Sequence, residues 1–285
     1  MAITYVQYSY KILTIKIMPI NTITYEPGLE FPEWDFVTTA EHQAAKLACC
    51  GIDPALYGDR LDITVLALAT ILSAKQAGIS INGSVHMAQF FDMREPVTLG
   101  EALTVRGEVM EMVKEPRGHV VASRFDFARA DGSVPVRAAR SSLVLDPAVG
   151  AKRSGKKKPG SDGDPRDGMT LTATHQLIPE QVAAYSDEAD NLIHSDPKTA
   201  QAFGFRAPIA AGLMAVRFMM AALCDPTPPD RLKIRIRFRR PMFWDEKMEL
   251  WARRAAGGPI EAISLINPDG KLASEAVVEE VAYRG

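Results

Sequence analysis

Cysteine is scarce in this chain: Cys49, Cys50 and Cys224 are the only three among 285 residues. Adjacent cysteines rarely bridge each other and no CxxC spacing occurs, so neither a disulfide framework nor a zinc site is indicated. That usage suits a reducing, cytoplasmic compartment. No apolar run reaches the roughly 18 residues needed to span a bilayer, so no membrane partner is expected. An excess of one charge is missing too. With 33 basic against 35 acidic residues the formal net charge is −2, and bulk electrostatics favours neither nucleic acid nor an anionic surface. HExxH, CxxC pairs and Gly-rich nucleotide loops are all absent, which leaves no expected metal and no expected resident cofactor. The first residues, MAITYVQYSYKILTIKIMPINT, lack a small-residue cleavage site and make a poor signal peptide. Met18-Pro19 reads as an alternative start, with 1–17 as an extension.

With 47% hydrophobic and 24% charged residues the chain has the material for an ordinary core. Its length fits one large domain or two ordinary ones. Residues 146–168, DPAVGAKRSGKKKPGSDGDPRDG, cannot bury an apolar face and read as a linker. The basic cluster Lys152 to Lys158 reads as part of that solvated linker rather than an anion site. This divides the chain into 18–145 and 169–285.

The two halves resemble each other. Met93-Arg-Glu-Pro-Val-Thr-Leu-Gly-Glu-Ala-Leu103 aligns without gaps on Phe238-Arg-Arg-Pro-Met-Phe-Trp-Asp-Glu-Lys-Met248. Upstream of each lies a run that is apolar nearly all round, Ile63 to Ala77 and Ile209 to Leu223, which marks a buried helix. Downstream come strand-like segments: Leu103 to Met110 and His119 to Phe127 in the first half, Met248 to Arg254 and Ile260 to Ile266 in the second. Turn signals separate them at Glu115-Pro116-Arg117-Gly118, Asp131-Gly132, Gly257-Gly258-Pro259 and Pro268-Asp269-Gly270. Each half is therefore predicted as one central helix wrapped by an antiparallel meander, a duplicated α+β protein. Two such sheets with free edges would pair into one continuous sheet.

The stretch AYSDEADNLIHSDPKTAQAFGFRAPIAAGLMAV, from Ala184 to Val216, carries the chemistry. Asn191-Leu-Ile-His194, Ala200, and Gly204-Phe-Arg-Ala-Pro-Ile-Ala-Ala-Gly-Leu-Met214, together with Arg237 to Pro241, resemble the MaoC-like, type-2 enoyl-CoA hydratase family in its double-hotdog form. The resemblance spans roughly 20–145 and 169–283. It implies reversible addition of water across a trans-2-enoyl thioester of the acyl-CoA type, giving the (R)-3-hydroxyacyl thioester, within fatty acid metabolism. Such a reaction needs a base for water, an acid for the α-carbon and a donor for the thioester oxygen. The family motif runs Asp-x-Asn-Pro-(Ile/Leu/Val)-His, and a Pro-Ile-Ala-His-Gly segment opens the central helix. Carried over, it makes His194 and Asn191 candidate catalytic residues. Gly212, Ala211 and Pro208 become candidates for binding the thioester, with the backbone N–H at the helix start as the donor.

The sequence departs from that motif at one decisive place. Position 189, where the catalytic Asp should stand, is Ala189; Leu192 replaces the usual Pro and Ala211 the usual His. Three readings remain open. Asp190 or Asp187 reaches into the site and restores the pair; His194 works alone with water; or the site only binds an acyl thioester, or nothing. A thioesterase on the same fold is a further alternative, since fold does not fix function. Asp196-Pro197 reads as an N-cap with Pro at the first helical position. Arg237, Arg239 and Arg240 either meet a CoA phosphate or, as alternating charges on a strand, face solvent. In the first half Tyr57 stands where His194 does and Pro54 where Asn191 does, so the resemblance implies one site per chain. Two chains could form a homodimer, although a double hotdog already holds the two-module unit that single hotdogs reach by dimerising.

Overall fold

Two helices set the architecture, because neither can be left in water. α2 (Thr64–Gln76) and α5 (Gly212–Leu223) are buried on nearly every side, α5 without a break from Leu213 to Met220. A helix that is apolar all round has to be enclosed by other elements. A computed structural model, describing residues 24–146, 163–224 and 226–283, shows how this is done. The predicted extension 1–17 and most of the predicted linker lie outside the described residues.

Ten antiparallel strands form one sheet. β1 (Trp34–Phe36), β2 (Ser84–Met93), β3 (Leu103–Glu115), β4 (Gly118–Ala128) and β5 (Val136–Leu145) come from the first half. β6 (Thr170–Gln176), β7 (Arg231–Phe238), β8 (Lys247–Arg254), β9 (Ile260–Ile266) and β10 (Leu272–Ala282) come from the second. The order is β1-β3-β4-β5-β2-β7-β10-β9-β8-β6, so the halves join at β2 and β7 in register from Ala88↔Arg237 to Met93↔Leu232. That joint closes two inner edges at once. The sheet curls round α2 and α5, which also touch each other. This is the double-hotdog arrangement expected from the sequence.

Period-2 alternation puts one face of each strand inside. On β7, Leu232, Ile234 and Ile236 are buried while Arg231, Arg235 and Arg237 face water. The internal repeat reaches down to single hydrogen bonds. Glu101 accepts from the Thr98 amide at 3.0 Å, and Glu246 accepts from the Phe243 amide at 2.9 Å. Likewise the Leu61 amide donates to Val97 O and the Ala210 amide to Met242 O, both at 2.8 Å. Through this second pair of bonds, Ile63 of the first half occupies the place of Gly212 in the second.

Among the described residues three shorter α-helices accompany α2 and α5: α1 (Ala40–Ala48), α3 (Pro179–Ser186) and α4 (Pro197–Ala202). α4 begins as predicted, with Pro197 in its first turn and the Asp196 carboxylate accepting from the Thr199 amide at 2.8 Å. A buried ion pair locks the halves together. Arg217 on α5 meets Asp62 at the start of α2 and donates from Nε to the Tyr185 hydroxyl at 2.9 Å. Among the described residues no helix is long and apolar enough to cross a membrane.

Candidate active site

A cavity of about 270 Å³ opens where the start of α5, the α3–α4 loop and the ends of β2, β5 and β7 converge. Its second-half wall carries His194, Ala189, Ser186, Ala211 and Gly212. Two 3-10 turns, Asp187–Ala189 and Leu192–His194, shape the loop. Between them Asp190 takes the left-handed conformation at φ 51°, a geometry Asp tolerates better than most side chains.

His194 ends the second of these turns and is half-buried. Its Nδ1 lies 2.7 Å from the carbonyl oxygen of Ile209, and Ile209 in turn donates its amide to Ile193 O at 3.2 Å. A carbonyl only accepts, so Nδ1 carries the proton and Nε2 is left with its lone pair. Burial pulls the His194 pKa below its ordinary value, although the bond to Ile209 opposes this. The ring is therefore neutral at physiological pH and available as a base.

Gly212 is the first residue of α5, whose amino end has no side-chain cap. Met214 donates its amide to Ala211 O at 2.9 Å, while the amides of Gly212 and Leu213 precede the first intrahelical bond and point outward at the positive end of the dipole. A β-carbon on Gly212 would sit 3.1 Å from the Phe238 ring, so glycine permits the close approach of that ring to the helix start. Ala211 precedes it on the cavity wall. Pro208 does not reach the cavity: it is buried, with its carbonyl accepting from the Trp244 amide at 3.1 Å. Its expected place on the thioester site is thus corrected to a place in the frame behind it.

The expected acids are also elsewhere. Asp187 and Asp190 are 66% and 69% exposed and lie outside the cavity. Lys46 on α1 holds Asp187 at 2.6 Å, and Lys75 on α2 holds Asp190. Between them Glu188 is bound by Lys46 at 2.8 Å and by His42 Nε2 at 2.9 Å. Burial would raise the Glu188 pKa, but the His42 and Lys46 hydrogen bonds outweigh it and bring it to about 2. Three successive acids are thereby turned toward cations of the first half, while Ala189 presents its methyl group to the cavity. The structure thus brings neither Asp187 nor Asp190, the acids expected to restore the missing carboxylate, to the cavity. No carboxylate lines the cavity among the described residues.

Asn191 borders the cavity, yet both ends of its amide are engaged. Oδ1 accepts from the Gly83 amide at 3.2 Å and Nδ2 donates to Ser84 O at 3.1 Å. It ties the loop to the start of β2 and so helps to position His194. Arg237 faces solvent, whereas Arg239 and Arg240 stand at the cavity mouth. Arg239 is paired with Glu275, and Arg240 donates to Leu272 O at 2.7 Å.

Sequence reasoning missed the first-half wall. His86 and Met87 on β2, Arg140 and Ser142 on β5, and Arg117 in the β3–β4 turn all line the cavity. A signal existed for Arg140. It falls in phase with the buried Val136 and Ala138 on an alternating strand, where an inward charge is expensive and marks a site. The equivalent region of the first half is closed, since Tyr57 is buried and only about 20 Å³ remains beside it. Ile63 fills the place of Gly212.

No protein-family model matches the chain. Over 186 residues, 61% of this chain, it is 24% identical to peroxisomal multifunctional enzyme type 2 of Drosophila melanogaster, and the match spans only 30% of that protein's length. The solved structure of the same enzyme superposes with a TM-score of 0.65, covering 88% of this chain and 48% of that one at 18% identity. HtdX of Mycobacterium tuberculosis superposes at a TM-score of 0.70 and 21% identity, covering 86% of this chain and 98% of its own. The fold also carries other chemistry. An acyl-ACP thioesterase from Bacteroides thetaiotaomicron superposes at 0.53 with 11% identity, over 87% of this chain and 96% of that one.

Proposed function

We propose that this chain, which has the double-hotdog fold seen in MaoC-like dehydratases, is a hydro-lyase that adds water reversibly to a trans-2-enoyl thioester of the acyl-CoA type. The observation that carries the reading is His194: neutral, oriented through Nδ1 by Ile209 O, and sharing a cavity with the uncapped amino end of α5. A base and an oxyanion donor side by side are what conjugate addition to a thioester requires.

In this reading the thioester oxygen accepts from the Gly212 amide, which becomes more valuable as the oxygen gains charge in the enolate-like transition state. His194 Nε2 takes a proton from water while the hydroxide adds to Cβ. The same imidazolium then returns that proton to Cα from the same face. The elements of one water molecule are consumed, no electrons change hands, and no resident cofactor takes part. The Ser186 hydroxyl, buried on the cavity wall without a partner, is suited to hold the water where a carboxylate would otherwise stand. One observation favours the runner-up, a protein that binds acyl thioesters without turning them over: the cavity has a methyl group at Ala189 where the acid is expected.

A panel of trans-2-enoyl-CoAs of different lengths tests both, comparing the parent with His194→Ala and Ala189→Asp. The proposal expects measurable hydration by the parent, loss of at least about a hundredfold in His194→Ala, and a gain in Ala189→Asp as the second acid/base group returns. A parent that binds but does not hydrate, with activity appearing only in Ala189→Asp, would establish the binding role. Release of free thiol would identify a thioesterase.

A further inference from the structure

We infer that the cavity ends in an anion subsite on the first half, and that the acyl group it accepts carries a terminal carboxylate. This rests on the thioester reading above and adds the class of acyl chain to it. The observation is Arg140. Its guanidinium projects from β5 onto the concave face of the sheet, in line with Val136 and Ala138, and lines the same cavity as His194. Nη2 donates to Ser142 Oγ at 2.8 Å, while Nη1 is buried and has no partner. Among the described residues no carboxylate pairs with Arg140, although neighbouring surface arginines such as Arg124 and Arg137 both have one. A buried cation without a counter-charge is costly, and burial accordingly lowers the Arg140 pKa.

Its surroundings supply polarity without negative charge. His86, across the ladder beside Ser142, has a buried Nε2 with no partner, and burial together with the Arg140 charge drives its pKa down to about 3. Gln89 is the register partner of Arg140 and also has an unpartnered oxygen. Tyr25 is near enough for the Arg140 charge to bear on its hydroxyl, which burial keeps protonated. A β-bulge between His86 and Ala88 lies at this point in the ladder, the kind of irregularity that re-aims side chains near sites. Two unsatisfied polar groups on one cavity wall, Arg140 Nη1 and His86 Nε2, are better explained by a polar occupant than by a packing accident.

The register gives the scale. Arg140 pairs with Gln89, and Gln89 with Ile236, two residues before the Phe238 that packs on Gly212. Two interstrand steps and two residues along a strand place the Cα atoms of Arg140 and Phe238 roughly 12 Å apart. An extended arginine side chain covers about half of that. The remaining gap suits a short acyl chain of about four to six carbons with a carboxylate at its far end, which Arg binds in bidentate fashion.

The phosphates of CoA offer the same chemistry, so the test separates the two sources. Dissociation constants would be measured for glutaryl-CoA and pentanoyl-CoA, and for their N-acetylcysteamine thioesters, which lack phosphate. The proteins are the parent, Arg140→Met and Arg140→Lys, each checked by its melting temperature. Arg140→Met is expected to melt no lower than the parent, because it removes an unpaired charge. The inference expects the parent to prefer glutaryl over pentanoyl about tenfold or more with either carrier. Arg140→Met should abolish the preference and Arg140→Lys should keep part of it. Equal binding of the two acyl groups by the parent would overturn the inference, leaving the polar end to ordered water. Equal weakening of both CoA esters in Arg140→Met, with the phosphate-free esters untouched, would assign Arg140 to the phosphates. Binding of neither CoA ester would sink the thioester reading itself, a result distinct from the loss of selectivity.

Discussion

The buried pairing of Asp62 with Arg217 joins the two halves of the chain beside the cavity. Asp62 is fully buried and Arg217 is 2% exposed, and they come from opposite halves of the chain. Asp62 also accepts from the Thr64 amide at 3.0 Å and from the Thr64 hydroxyl at 2.7 Å, while Arg217 bonds the Tyr185 hydroxyl on the cavity wall. Replacing Asp62 by Ala strands a guanidinium in the core. Removing one partner of a buried pair costs about 3–5 kcal/mol. At roughly 2–4 °C per kcal/mol for a chain of a few hundred residues, the melting temperature falls by on the order of 10 °C. The double variant Asp62→Ala/Arg217→Met has no stranded charge and should recover most of that loss. What persists is about 1–2 kcal/mol from the missing acceptor at Thr64 and the unpaired Tyr185 hydroxyl. Urea and thermal unfolding of the parent, both single variants and the double variant form a complete cycle. A double variant as unstable as Asp62→Ala, or an Asp62→Ala cost below about 1 kcal/mol, would show that no charge is stranded in the core.

Two further outcomes follow from the loop itself. Asn191→Ala leaves the Gly83 amide and the Ser84 carbonyl without their partner and should cost about 2–3 kcal/mol in unfolding experiments; turnover should fall through kcat more than KM, because His194 is misplaced rather than removed. A normal kcat would show that Asn191 does not position the loop. The pH dependence follows from the sign of the His194 shift: its pKa lies below 6.5, so kcat/KM should be flat through neutrality and decline only in acid as Nε2 gains a proton. An acid limb centred at 6.5 or above would show that burial does not keep the ring neutral.

Much of the fold was legible because it is governed by short-range periodicity. The run Ile63 to Ala77 became α2 (Thr64–Gln76), and the segment Ile260 to Ile266 coincides with β9. The later run, Ile209 to Leu223, loses its first three residues: Ile209 forms a bridge to Phe243 and Ala210 donates to Met242, so the helix begins only at Gly212. β3 extends to Glu115, well past Met110, because pairing with β4 carries both strands to a tight turn at Pro116-Arg117. Alternation does not report how far a hairpin projects; its partner strand does.

The site divides along the same line. The capped entry at Asp196-Pro197 and the place of His194 a short loop before the central helix were legible from local sequence, since these depend on residues within a few positions of one another. The sequence alone also shows that position 189 offers no carboxylate. That Asp187, Glu188 and Asp190 turn away from the cavity could be seen only in the fold, because the side chains that hold them, Lys46, His42 and Lys75, stand more than a hundred residues earlier in the chain. The same is true of Arg140, whose strand position is local but whose lack of a carboxylate partner among the described residues can be seen only in the fold. Short-range sterics and periodicity fix backbone form; the side a charge faces is fixed by the partners that the fold brings to it.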